Sequence, residues 1–233
     1  MTPVFSTPDA WTQKRPQADV YKYQTVVYAQ RHTGLYGCPM QSANKTSSSL
    51  ARIDWLNAAI QTLHEAGIAA VSIVQLANIL RVTRGSFYHH FTDRDDLLRA
   101  MLNHWEKTWT VDIREEVRSL ELPPGEKLRA LVQSIRKNKA ADYDAPFRAW
   151  ALHDPFARST LEAVDTFRLD YIRSLFEAAG FAGIDAENRA RLLLYYEMSD
   201  PTFFATRDPE TEDRLTEERL GLLLQPGNTV NPA

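Results

Sequence analysis

This 233-residue chain predicts an all-α fold. Three observations carry that expectation. From Leu50 onward, apolar residues recur at spacings of three and four, the period of a helix with one buried face. No segment alternates apolar and polar residues as a half-buried strand does. The breaks between periodic segments hold the residues that begin and end helices: Ser, Thr or Asp at the start, Gly or Pro after the end. About nine helices are expected, with no internal repeat.

Residues 1–48 read as a poorly ordered N-terminal extension. "MTPVFSTPDAWTQKRPQADVYKYQ" and "TGLYGCPMQSANKTSSS" have scattered prolines or turn-forming residues and no sustained period. In "SLARIDWLNAAIQTLHEAG", Ser49 can cap a first helix, Leu56, Ala59, Ile60 and Leu63 form its buried stripe, and Gly67 stops it. Ser72 caps a second helix with Ile73, Leu76, Ala77 and Leu80 inward. Arg81-Val82 make a turn, and Thr83 can cap a third helix reaching Phe91. Asp93 caps a long fourth helix whose first turn holds Asp95 and Asp96, favourable at the positive end of the helix dipole.

"LPPGE" is a break, followed by helical "EKLRALVQSIRKNK" and "APFRAWALH". Asp154-Pro155 opens the next helix, with a capping side chain and a proline where its missing N–H costs nothing, and Gly180 closes it. "DAENRARLLLYYEMSD" and "DPETEDRLTEERLGLLL" complete the set. The expected organisation is an extension over 1–48, a three-helix unit over 49–96, a larger helical domain over 97–224 and a tail over 225–233.

The totals exclude several classes. The chain is 44% hydrophobic and 24% charged with a formal charge of −3, so an anion-binding surface would have to be local. No apolar run approaches the roughly 18 residues that span a bilayer, and the N-terminus lacks a signal-peptide core. One cysteine, Cys38, leaves no internal disulfide or multi-cysteine zinc site. A cytoplasmic location is the expectation. No nucleophile elbow or phosphate-binding glycine loop is found. His153-Asp154 reads as a helix start, not a catalytic dyad. Adjacent His89 and His90 diverge by about 100° on a helix and chelate poorly. Neither an enzyme nor a cofactor or metal is expected.

"ILRVTRGSFYHHFTDRDDLL" carries the functional signal. Val82, Phe87 and Phe91 fit an inward face. Arg84, Gly85, Ser86, Tyr88 and His89 are left outside, just where a helix–turn–helix presents its second helix to the major groove. There the free N–H groups attract phosphate, Arg84 can reach base edges, and Gly85 permits close approach. Tyr88, His89 and Arg94 can donate to phosphates and set register without reading sequence. Between Lys45 and Lys107 seven Lys/Arg face six Asp/Glu, so placement, not net charge, carries the reading.

Trp55–Leu98 resembles the DNA-binding domain of the TetR (tetracycline repressor-like) family of transcriptional regulators, through "AAIQTLHEAG", "VTRGSFYHHF" and the "DRDDLL" that follows. The resemblance implies an all-α homodimer, a double-stranded DNA operator as partner, and a repressor released from a palindromic site by a small-molecule effector. Carried over by position, the DNA-binding residues are Ser72, Thr83, Arg84, Gly85, Ser86, Tyr88, His89 and Arg94. The departures are Arg81 where the family usually has glycine, Val71 where a phosphate-contacting threonine is common, and Val74 where a basic residue is common. They motivate an alternative: a TetR-like interaction protein with weakened or lost DNA binding. Trp105, Trp109, Tyr143, Phe147, Trp150, His153, Phe167 and Tyr171 are the candidate lining of an effector pocket, whose rings favour an apolar or aromatic ligand. The helix around Leu192–Tyr196 is apolar on more than one face, a surplus that calls for a second partner. Leu192, Leu193, Tyr196, Leu220 and Leu223 are the candidate dimer interface.

Overall fold

The computed structural model describes residues 50–203 and 208–226. The extension over 1–48, the Ser49 cap and the tail beyond 226 lie outside them. Among the described residues there are helices and no strands. They are α1 (Arg52–Ala66), α2 (Ile73–Leu80), α3 (Arg84–Phe87), α4 (Arg94–Glu106), α5 (Asp112–Ser119), α6 (Pro124–Lys137), α7 (Ala140–Ala151), α8 (Pro155–Ala178), α9 (Gly183–Phe203) and α10 (Pro209–Leu224). A five-residue π turn, Lys107–Val111, joins α4 to α5 without a break. Counting that rod once gives nine helices among the described residues.

The caps explain the boundaries. Ser72 Oγ accepts from the Gln75 N–H at 3.2 Å. Asp93 Oδ1 accepts from the Asp96 N–H at 2.8 Å. Asp154 Oδ1 accepts from the N–H groups of Phe156 and Ala157, with Pro155 in the first turn. Each satisfies donors that a helix start leaves orphaned. α1 begins differently: Ala51 is its N-cap, and the Ala51 N–H donates to Asp54 Oδ2 at 2.8 Å. Gly67 and Gly180 take the positive φ that ends α1 and α8. Arg81 does so at the end of α2, with φ 56° and ψ 43°. α7 starts at Ala140, earlier than its sequence pattern indicated, with Lys139 left-handed before it and Pro146 inside it.

α1 packs on α2 and α4, and α2 on α3. The second half is a bundle in which α8 contacts α7, α6 and α9, α6 also lies on α5, and α10 lies on α6. The buried residues fall into two clusters. One runs from Trp55, Leu63, Phe87 and Phe91 through Leu97, Met101 and Trp105 to Phe147, Trp150 and Val164. The other joins Ile113, Val117, Leu128, Val132, Ile172, Phe176, Leu193 and Leu220. Trp109, on the π turn, packs against both.

Candidate nucleic-acid interface and core cavity

The candidate interface is built from its floor. Phe87 is fully buried; its ring lies edge-on to Trp55 at 5.3 Å and stacks on Phe91 at 5.3 Å. Burying a phenylalanine on a short segment fixes it where helix propensity alone could not. α3 has only one regular turn, and residues 88–90 continue as turns, so it is shorter than the sequence indicated. Thr83 is its N-cap by position, with extended backbone and no side-chain capping bond.

Above this floor Thr83, Arg84, Gly85 and His89 are exposed, Ser86 is half-buried, and Tyr88 is 60% exposed with its ring edge-on to Phe87 at 5.4 Å. Gly85 has ordinary backbone, and a Cβ there would meet only Thr83 Oγ1, at an ordinary 3.6 Å. Nothing inside the described protein asks for glycine at that position.

Two of the expected contact residues also serve the fold. Arg94 Nε donates to the Val71 carbonyl at 2.7 Å and its Nη2 to the Ile68 carbonyl at 3.1 Å, so this guanidinium ties α4 to the loop before α2. That is a correction to its reading as a phosphate contact through those atoms. Ser72 uses its hydroxyl oxygen as a helix cap. Val71 is buried and Val74 exposed, so neither supplies a polar contact. Sequence reasoning missed Arg52, which reaches the far end of the motif. Its Nε donates to the His90 carbonyl at 3.3 Å, and its guanidinium lies 4.5 Å above the Phe91 ring. No local pattern marks a residue that acts 38 positions away.

The core holds a cavity of about 40 Å³, lined by side chains of the π turn, α5, α6, α8 and α9 and by Ala140. Trp109, Phe167 and Tyr171, three of the eight expected lining residues, are on its wall. The others are not. Trp105, Phe147 and Trp150 are packed in the first cluster, with Trp105 stacked on Phe147 at 5.0 Å. Tyr143 stacks on Trp109 at 4.4 Å behind the wall, and His153 is exposed. The missed wall residues include Thr110, Arg114, Arg168 and Met198.

Arg168 connects wall and rod. Its Nε donates to Thr110 Oγ1 at 2.9 Å, its Nη2 to the Trp109 carbonyl at 3.4 Å, and its Nη1 to Asp144 Oδ1 at 2.8 Å. Asp144 also accepts from Arg148 Nε at 2.6 Å, and Arg148 grips Asp165 with both Nη atoms. Burial opposes the charge on Arg148, but the hydrogen bonds to Asp165 and the nearby carboxylates outweigh it and raise its pKa.

The expected dimer residues divide. Leu193 is 1% exposed and Leu220 is fully buried, so both belong to the protomer's own core. Leu223 packs partly against that core, and Tyr196 lies under Arg219 at 3.6 Å. Leu192, at 62% exposed, does face outward, as do Ile184, Tyr195, Leu215 and Leu222.

Residues 56–101 match the model of the family described as bacterial regulatory proteins, tetR family. The chain is 28% identical over 133 residues to the transcriptional regulator BetI of Burkholderia cenocepacia, spanning 52% of this chain and 64% of that protein. Against BetI of Paraburkholderia xenovorans it is 28% identical over 149 residues, spanning 56% and 72%. Its fold is similar to a transcriptional regulator from Rhodococcus sp. Rha1 (TM-score 0.59, 19% identity, 75% of this chain and 96% of that one). It is also similar to AibR, solved in complex with isovaleryl coenzyme A and operator DNA (TM-score 0.59, 18% identity, 76% and 99%). At such identities the likeness is one of fold; the superantigen PfiT shares it at a TM-score of 0.58. Residues 56–101 thus carry the helix–turn–helix of the tetR family of bacterial regulatory proteins, within a helical architecture similar to that of solved transcriptional regulators.

Proposed function

We propose that the protein is a homodimeric repressor that holds a palindromic operator and releases it when a small molecule enters the helical core. The observation that carries this reading is the exposed row Thr83, Arg84, Gly85, Tyr88 and His89 standing on the buried Phe87 and Phe91. Arg84 reads bases, Tyr88 and His89 contact phosphate, and Gly85 lets the duplex approach. The organisation into a reading head over 49–96 and an effector and dimerisation domain over 97–224 goes with this assignment. AibR, whose structure contains both operator DNA and isovaleryl coenzyme A, lends support by analogy of fold.

The dimer surface is re-assigned to the outward apolar residues of α9 and α10, namely Leu192, Tyr195, Leu215 and Leu222. An isologous interface would pair these with their own copies. Release is relayed through Arg168, which bonds both the cavity-facing π turn and the charge pairs of α7. A ligand that displaces it frees the rod carrying α4, and with it the spacing of the two reading heads.

The test is a mobility shift against fragments selected from genomic DNA. Arg84→Ala should cost on the order of 1–3 kcal/mol and relax base preference, whereas Tyr88→Phe should weaken all sites alike. Equal loss of base preference in both variants would defeat this division of roles. Leu192→Glu and Leu222→Glu should sediment as monomers that no longer shift DNA, and stable dimers would reject the interface. The second reading, an interaction protein with lost DNA binding, draws on Val74 and the engaged Arg94. It predicts no salt-sensitive shift with any duplex.

A further inference from the structure

α1 holds the exposed row at two points. Trp55 meets Phe87 edge-on at 5.3 Å beneath it. Arg52, one turn earlier and so on the same face of the helix, reaches the far end of the row. Its Nε donates to the His90 carbonyl at 3.3 Å, and its guanidinium lies 4.5 Å from the centre of the Phe91 ring.

The far end depends on a tie of this kind. Its other hydrogen bonds are local. The His90 and Phe91 N–H groups donate to the Phe87 carbonyl at 2.9 and 3.1 Å, and the Thr92 N–H donates to Asp96 Oδ2 at 3.0 Å. α3 has four residues, and one turn of helix does not hold itself together in water. Phe87 and Phe91 are buried and anchor the segment. Apolar burial is non-directional, so it sets how deep the segment sits more than how it is turned. A hydrogen bond is directional. The one from Arg52 fixes the peptide plane after His90, next to Tyr88 and His89, and it arrives from 38 residues away.

The charge of Arg52 has two uses in such a place. An exposed arginine beside a row that meets DNA is a ready phosphate contact. Here, however, Nε is engaged, one face of the guanidinium is covered by the Phe91 ring, and Asp96 Oδ1 lies 3.8 Å from Nη2. That carboxylate offsets the charge that a phosphate would meet.

We propose that Arg52 is a positioning residue for sequence reading: from α1 it aims the segment that carries Tyr88 and His89, and it touches no DNA itself. The proposal rests on the reading of the exposed row as the DNA contact and adds a residue that acts through it.

The full chain is compared with Arg52→Ala and Arg52→Lys in mobility shifts over a range of salt. The probes are a duplex selected from genomic fragments and a scrambled duplex of the same composition. Positioning predicts that Arg52→Ala binds the selected duplex roughly tenfold more weakly, with binding of the scrambled duplex and the salt dependence unchanged. A phosphate contact predicts loss on both duplexes and a salt slope smaller by about 0.9, and that result would overturn the proposal. Arg52→Lys keeps the charge without the flat fork of donors, so it should not restore the preference; full recovery would overturn the proposal as well. A lowered melting temperature with the preference intact would reduce Arg52 to a stabilising contact and overturn it too.

Amide exchange gives a readout without DNA. In Arg52→Ala the Phe91 and Thr92 amides should exchange roughly tenfold faster, while those of Leu63 and Leu97 keep their wild-type rates. Unchanged exchange at Phe91 and Thr92 would overturn the brace. If the wild type shifts no duplex while exchange responds, the DNA reading fails and only the brace stands. A normal wild-type shift that is indifferent to Arg52 removes the positioning role alone.

Discussion

The two buried clusters are made of different material. Beneath the reading surface, the cluster from Trp55 to Trp105 is aromatic and aliphatic throughout. The indole N–H groups of Trp55 and Trp105 are buried there without partners among the described residues, and charge meets this cluster at Trp105, whose ring centroid lies 5.3 Å from the Arg168 guanidinium. Around the cavity, the bundle is laced with charge: Asp144, Arg168 and Glu197 are all buried, and Arg219 meets Glu197 at 2.7 Å. A close-packed apolar core has one good arrangement and resists change. A buried ion-pair network depends on every member being satisfied and can be re-paired when a new charge arrives. The contrast teaches how one chain can hold two interiors of different kind: volume governs the first and pairing governs the second.

Phe87→Ala strikes the first cluster and should cost about 3–5 kcal/mol, with loss of DNA binding at 37 °C; urea melts and mobility shifts measure both. Phe87→Leu should recover most of the stability, because there the missing volume is what matters. Asp144→Ala should cost a similar amount, about 3–5 kcal/mol, since it strands Arg168 next to apolar neighbours. Here volume is not the remedy. Asp144→Leu combined with Arg168→Met should be far less damaging than the sum of the two, and an additive double variant would erase the distinction between the halves.

Gly85→Ala, at the surface, should leave the melt unchanged or gain up to ~1 kcal/mol from helix propensity while weakening DNA binding. A loss of folding instead would place the demand for glycine inside the protein.

Asp154→Ala removes a cap worth about 1 kcal/mol. Backbone N–H groups, that of Ala157 foremost, hold this carboxylate below its ordinary range, with the Trp150 N–H helping. A depressed folded value means the contribution is present at neutral pH and lost as acid titrates the folded carboxylate. The wild-type advantage over the variant should therefore shrink as pH falls below the ordinary carboxylate range, and a constant gap would sink the assignment. The smallest effect is expected from Arg81→Gly, which relieves a left-handed non-glycine backbone and should raise stability by about 1 kcal/mol or less.

The caps Ser72, Asp93 and Asp154, the stops Gly67 and Gly180, and the inward Phe87 and Phe91 were legible because each depends on neighbours within a turn or two. The outward row from Thr83 to His89 was legible for the same reason. The engagement of Arg94 within the fold was not legible because its acceptors, the carbonyls of Val71 and Ile68, lie more than twenty residues away. The cavity was only partly legible. Aromatic content marks large side chains but not which face of a helix meets a gap, so Trp105 and Trp109, four residues apart, end in a packed core and on a cavity wall. Leu193 and Leu220 failed likewise: a helix apolar on two faces does not say which face its own bundle takes.

The π turn at Lys107–Val111 has a consequence for chain length. Such a turn holds one residue more than an α-helical turn, so the rod has a spare residue where the two cores meet. Deleting Thr108 would let the backbone ladder close as plain α-helix while α4 and α5 keep the faces they now present. Deleting one residue elsewhere, at Arg99 or Arg114, would rotate everything beyond it by about 100° and turn buried stripes toward water. Within this rod, deletion has one tolerated address, and it lies where the two buried clusters meet.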